Sequence, residues 1–163
     1  MRTGVKQAFG ALAWFGLTFA AAAIGAIASA NAATFYALLV RPVWAPPAWV
    51  FGPVWTFLYA SMAVSVWWVW RGQSFARARA PLMLFVAQLA ANALWSWLFF
   101  DAQLGAAAFF DALLLCGLVA ATTVTFYRRS KLAAALLYPY LAWCTFAAAL
   151  TFAIWRLNPE VLG

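Results

Sequence analysis

Gln88, Asn92 and Ser96 stand four residues apart, so on a helix they share one face, with Trp95 and Phe99 beside them. Further along, Tyr140, Trp143, Ala147, Leu150 and Ile154 recur at helical spacing, and the small Ala147 leaves room next to an indole. Trp55 and Tyr59, at i and i+4, form a third face. Polar groups, flat rings and a gap are what the stacking and shape recognition of a flat apolar ligand requires. The same spacings also serve plain packing: a polar contact between membrane helices, worth ~0.6 kcal/mol on average, or an ordinary core stripe. Other chemistries lack their residues. The chain has no histidine and only three acids, Asp101, Asp111 and Glu160. Hydrolytic and metal-ion catalysis are therefore not expected. Cys116, Cys144 and three methionines are weak axial ligands for haem iron. The reading is of a site with no metal, no required cofactor and no dependence on iron.

Those faces must be carried by membrane helices. Of 163 residues, 69% are apolar and 8% charged, against about 45–50% and about 25% in soluble domains. Five apolar segments of about spanning length are expected, near 8–30, 48–70, 82–100, 104–127 and 132–155. They make one all-α, five-helix transmembrane domain. Pro81 suits the first turn of the third span, and Asp101-Ala102-Gln103 is a tight link between the third and fourth. The first segment has a second reading as a secretory leader, because Arg2 and Lys6 precede it and Ala28-Ser29-Ala30 resembles a cleavage site. Its length, and small residues at Gly25 and Ser29, favour a true span. Arg2, Lys6, Arg71, Arg77, Arg79, Arg128, Arg129 and Lys131 would share one side of the membrane. In an inner membrane that side, with the amino terminus, is cytoplasmic. Short basic clusters of this kind orient membrane proteins, so nucleic-acid binding is not expected. Both cysteines lie inside apolar runs and read as buried core residues. Asp111 lies within the fourth span and calls for an indole N–H or a hydroxyl to hold it.

The connection between the first two spans is the longest. Pro42, Pro46 and Pro47 favour extended geometry there. The interleaved Trp44, Trp49 and Trp55 fit either an interfacial belt or a semi-rigid aromatic lid over a cavity.

This loop, Phe35-Tyr36 through Arg41-Pro42-Val43-Trp44 to Pro53-Val54-Trp55-Thr56-Phe57-Leu58-Tyr59, resembles the signature of the TspO/MBR family, in its bacterial form. Gln88 to Phe100 resembles the family's third-helix motif, and Asp111 with Leu113-Leu114-Leu115 its fourth. Leu136 to Ala147 and Ile154-Trp155-Arg156-Leu157-Asn158 resemble its fifth. The resemblance implies a five-helix, usually dimeric membrane protein that binds porphyrins and other flat hydrophobic molecules beneath the first loop. It places ligand contacts at Tyr36, Trp55, Asn92, Ser96, Trp143 and Ala147. The residues themselves extend that set to Trp44, Tyr59, Trp95, Phe99, Tyr140 and Leu150. A homodimer is expected, with Ala87 and Ala91 permitting close helix approach. Phe35, Arg41 and Thr151 replace a Trp, a Lys and an Asn usual in the family. The run Leu150 to Arg156 lacks the aromatic hydroxyl of the sterol-recognition stretch found in animal members. The implied function is a receptor or sensor of tetrapyrroles in a bacterial membrane. The alternatives are a transporter of such molecules and a light- and oxygen-dependent porphyrin-degrading activity. In the last, Trp55 and Trp143 would be the reactive residues.

Overall fold

The structure, a computed structural model, describes residues 2–71 and 75–163. Among these, all regular structure is helical. Helix α1 (Arg2–Ala28) leads to a short α2 (Ala32–Leu38), an extended segment and a 3₁₀ turn (Ala48–Val50). Then come α3 (Phe51–Arg71), α4 (Phe75–Ser96) ending in a π-helical segment (Trp97–Asp101), and α5 (Gly105–Tyr127). The chain closes with α6 (Lys131–Ala135), α7 (Tyr138–Leu157) and α8 (Pro159–Leu162). Five stretches are long and apolar enough to cross a bilayer: Gly4–Ala28, Ala48–Arg71, Ala78–Asp101, Gly105–Tyr127 and Lys131–Leu157. The first packs along α3 and α4 with most of its large apolar side chains facing outward. Gly10 lies against the Trp70 ring, where no Cβ would fit, and Trp14 meets Phe85 edge-on at 6.1 Å.

The helices depart from the sequence expectation in four places. Residues 32–38 precede the prolines and coil into α2, so the extended stretch begins only at Leu39 (φ −79°, ψ 142°). Pro81 lies inside α4 rather than in its first turn, because the helix has already started by Phe75. The link expected at residues 72–74 lies outside the described residues. Ala91 is only 6% exposed. It therefore packs within the bundle and does not join Ala87 on an outer face. The fifth span is not continuous. Pro139 in the first turn of α7 has no N–H to donate to the carbonyl four residues earlier, so the helix stops at Ala135 and restarts at Tyr138.

A broken helix inside hydrocarbon frees carbonyl groups that water cannot satisfy. Two hydroxyls from α3 reach them. Ser61 Oγ donates to the Leu136 carbonyl at 2.6 Å, and Ser65 Oγ to that of Ala133 at 2.7 Å. Ser130 caps α6 by accepting from the Ala133 N–H. The break is thus fixed by α3.

Basic residues collect at one end of the bundle. There Arg71 lies over the Trp68 ring at 3.5 Å, and Trp67 Nε1 donates to the Gln7 carbonyl. Removing both α3 hydroxyls (Ser61→Ala with Ser65→Ala) should cost roughly 0.5–1 kcal/mol for each lost bond. Thermal unfolding in detergent would show this as a lowered midpoint; an unchanged midpoint would mean the break holds without them.

Candidate functional site

At the end opposite the basic cluster, the bundle encloses a cavity of about 430 Å³, within the roughly 300–1,000 Å³ of small-molecule sites. Ten of the sequence-predicted residues line it: Tyr36, Trp55, Tyr59, Asn92, Trp95, Ser96, Phe99, Trp143, Ala147 and Leu150. Trp44 and Tyr140 do not. Trp44 lies on the loop, half exposed, with its ring edge-on to Phe146 at 5.8 Å. Tyr140 is fully buried within the polar layer that floors the cavity and does not reach its surface.

The floor is a hydrogen-bond chain joining three helices. Tyr59 Oη donates to Asn92 Oδ1 at 2.5 Å, and Asn92 Nδ2 donates to Tyr140 Oη at 3.0 Å. Tyr140 Oη in turn donates to Gln88 Oε1 at 2.8 Å, and Gln88 Nε2 faces Met62 Sδ at 3.8 Å. Gln88 is therefore an interhelical contact, Ser96 a cavity residue, and Asn92 both. The chain holds α3, α4 and α7 at the spacing that leaves the cavity open above it.

The walls are aromatic. Trp95 stacks on Phe99 with centroids 5.2 Å apart and planes 7° from parallel. Trp143 meets Phe51 edge-on at 5.9 Å, and Trp55 leans over Tyr59 at 5.6 Å. The π-helical segment swings Phe99 and Phe100 round the end of α4. It closes through a bond from the Leu104 N–H to the Leu98 carbonyl and a positive φ of 55° at Gln103.

The connection between the first two spans gives the cavity Ala32, Ala33 and Tyr36 from α2, Ala48 from the 3₁₀ turn, and Phe51 and Gly52 from the start of α3. Tyr36 Oη donates to the Pro46 carbonyl at 3.0 Å, and Arg41 sits over the Tyr36 ring at 4.8 Å. Burial raises the Tyr36 hydroxyl pKa above its ordinary value, while Arg41 works the other way. Trp44 and Trp49 are exposed, as an interfacial belt would have them, while Tyr36 and Trp55 face the cavity.

One wall was missed from sequence. Ala22, Gly25, Ala26, Ser29 and Ala30 of α1 also line the cavity, and Gly25 faces Ser96 Oγ, which a Cβ there would meet at 3.2 Å. The signal was present in the small residues Gly25 and Ser29, read only as packing. The partner expected for Asp111 is absent among the described residues. Its Oδ2 is buried without a hydrogen bond, and the indole N–H groups of Trp95 and Trp143 are themselves buried and unpaired. Among the described residues no group of three or more His, Cys, Asp or Glu could hold a metal ion.

This arrangement can be set beside known proteins. The TspO/MBR family profile matches residues 14–156. The chain belongs to the TspO/MBR family. It is 47% identical to the human translocator protein over 126 residues, covering 76% of this chain and 75% of that one. It is 42% identical over 125 residues to the tryptophan-rich protein TspO of Archaeoglobus fulgidus, covering 77% and 80%. To protein CrtK of Rhodobacter capsulatus it is 38% identical over 141 residues, covering 85% and 86%. With its five spans, it is an integral, multi-pass membrane protein of the TspO type.

Ala147 gives the cavity a direct test. Ala147→Leu should fill empty space and leave the thermal midpoint unchanged or raised. A loss of about 1–3 kcal/mol, the usual result of overpacking, would show that residue 147 abuts packed atoms instead.

Proposed function

We propose that this TspO-type protein is a membrane receptor that senses tetrapyrroles such as protoporphyrin, and other flat hydrophobic molecules, by holding them in the cavity under the first loop. The observation that carries this reading is the placing of Trp55 and Trp143, on separate helices, around one roofed apolar space with the small Ala147 beside it. The floor chain supports it. Tyr59 spends its donor on Asn92 and Asn92 donates to Tyr140, so the floor offers little to a ligand; the walls offer ring faces and the unpaired indole N–H groups of Trp95 and Trp143, which suit a flat ligand held mainly by shape and stacking. Fluorescence of the indoles supplies the test. Protoporphyrin should quench it saturably in the micromolar range, roughly −8 kcal/mol. Trp143→Ala should weaken binding by about 1–3 kcal/mol, and Ala147→Leu should abolish it. An unchanged titration in both variants would overturn the reading.

A second reading, breakdown of bound porphyrin under light and oxygen, draws on the same pair of indoles. Illuminating the loaded protein separates the two. A new product absorption that is lost in Trp143→Phe favours breakdown, and unchanged ligand favours sensing.

For orientation in an inner membrane, we place the end bearing Lys6, Arg71, Arg128 and Lys131 in the cytoplasm and the roofing loop on the far side. Single cysteines at the fully exposed Val43 and at Lys131, treated with an impermeant thiol reagent in oriented vesicles, should label from opposite faces. Labelling of both from one face would contradict this.

A further inference from the structure

We propose that Asn158 is the latch of the roofing loop, a positioning residue that sets how fast a ligand enters and leaves the cavity. Its side-chain amide pairs with the backbone of one loop residue 118 positions away. The Val40 N–H donates to Asn158 Oδ1 at 2.8 Å, and Asn158 Nδ2 donates back to the Val40 carbonyl at 2.8 Å. Residues 39–47 are otherwise held only through near neighbours in the chain among the described residues: Tyr36 Oη donates to the Pro46 carbonyl and the Val50 N–H to the Pro47 carbonyl, while the bond from the Ala45 N–H to the Pro42 carbonyl is internal to the stretch.

The latch is itself braced. Asn158 Nδ2 also donates to the Ile154 carbonyl at 2.7 Å, which fixes the amide on the last turn of α7. The Asn158 carbonyl accepts from the Val161 and Leu162 N–H groups, so α8 folds back beneath it. Leu162 is fully buried in one cluster with Leu39 and Tyr36. Its carbonyl presses on Gly105, where a Cβ would lie 2.9 Å away. Leu39 and Val40 stand between this braced corner and Tyr36, which lines the cavity. Breaking the pair frees the loop at that corner and leaves the aromatic walls and the polar floor untouched.

Hydrogen exchange at the Val40 amide reads the latch without any ligand. Asn158→Ala should speed it by about tenfold or more, as expected for losing two partly buried bonds, while amides of α3 near Met62 keep their wild-type rates. Unchanged exchange at Val40 overturns the latch. Asn158→Asp tests the same point should the alanine variant not fold. At neutral pH its carboxylate can still accept from the Val40 N–H, but its other oxygen is set against the Val40 and Ile154 carbonyls with no donor between them, and that repulsion opens the pair so that Val40 exchanges faster. Below the carboxyl pKa the protonated group donates again, and the rate relative to wild type at the same pH should fall back. The wild-type reference corrects for the other charged groups at this end of the bundle, Asp101, Glu160, Arg41 beside Val40 and Arg156 on the last turn of α7. No such recovery would mean that residue 158 acts through bulk alone, which also overturns the proposal.

The rate control rests on the reading of a ligand in the cavity, and protoporphyrin is its probe. In stopped-flow quenching, Asn158→Ala should raise association and dissociation rates together by about tenfold with Kd nearly constant, because a lid changes access and not the walls. Faster Val40 exchange with unchanged ligand rates would overturn rate control and point to an exit past α1. If wild-type protein fails to bind protoporphyrin, the receptor reading fails, and the exchange measurements alone decide the latch.

Discussion

A polar group inside hydrocarbon has no water to turn to, and the architecture of this protein follows from that constraint. Helices satisfy their own backbones, so the chain is helical nearly throughout. Where it must depart from the helix, side chains from elsewhere take over. The interruption at residues 136–137, forced by Pro139, is covered by Ser61 and Ser65 of the neighbouring helix. Polar side chains within the spans turn inward and find one another. The chain from Tyr59 through Asn92 and Tyr140 to Gln88 crosses three helices in this way. Each link is modest by itself, but leaving any buried member unpaired costs more than the link contributes. The chain therefore fixes helix spacing more than it adds stability.

The cavity is a consequence of that spacing. Below the Tyr59–Asn92–Tyr140 layer, large side chains such as Phe85, Phe126 and Met62 fill the interior. Above it the facing residues shrink to Gly25, Ser29, Ser96 and Ala147 while the flanking rings stay large. Helices held apart by aromatics but faced with small residues cannot close the gap. The space left over is flat-walled and apolar, and Tyr36, Ala48 and Phe51 border it where the proline-stiffened connection leaves α2 and enters α3. Asp111 stands apart from this economy. Its unpaired buried oxygen has no structural explanation here.

How much of this was legible beforehand differs by level. The five spans and the basic residues gathered at one end were written in composition and charge placement, since those depend on the bilayer. Most of the cavity wall was legible too, because residues at i, i+3 and i+4 must share a face whatever the helix packs against. Tyr140 shows the limit. Its spacing puts it in the same stripe as Trp143, yet it is buried within the floor and does not reach the cavity, because depth along a helix axis depends on the neighbour that meets it. The α1 wall was missed for the same reason, as Gly25 and Ser29 fit close packing and cavity lining equally well.

Composition, charge placement and helical spacing were enough to set the solvent, the number of crossings and which residues could stack. They were enough because hydrophobic period and chain length are local properties that act one segment at a time. Only the tertiary structure decided which helix supplies the fourth wall, where Asn92 finds its partners, and that Asn158 reaches Val40 across 118 residues. Those contacts join segments distant in the chain. Their existence depends on how helices rotate and settle against one another, which no spacing within a single helix encodes.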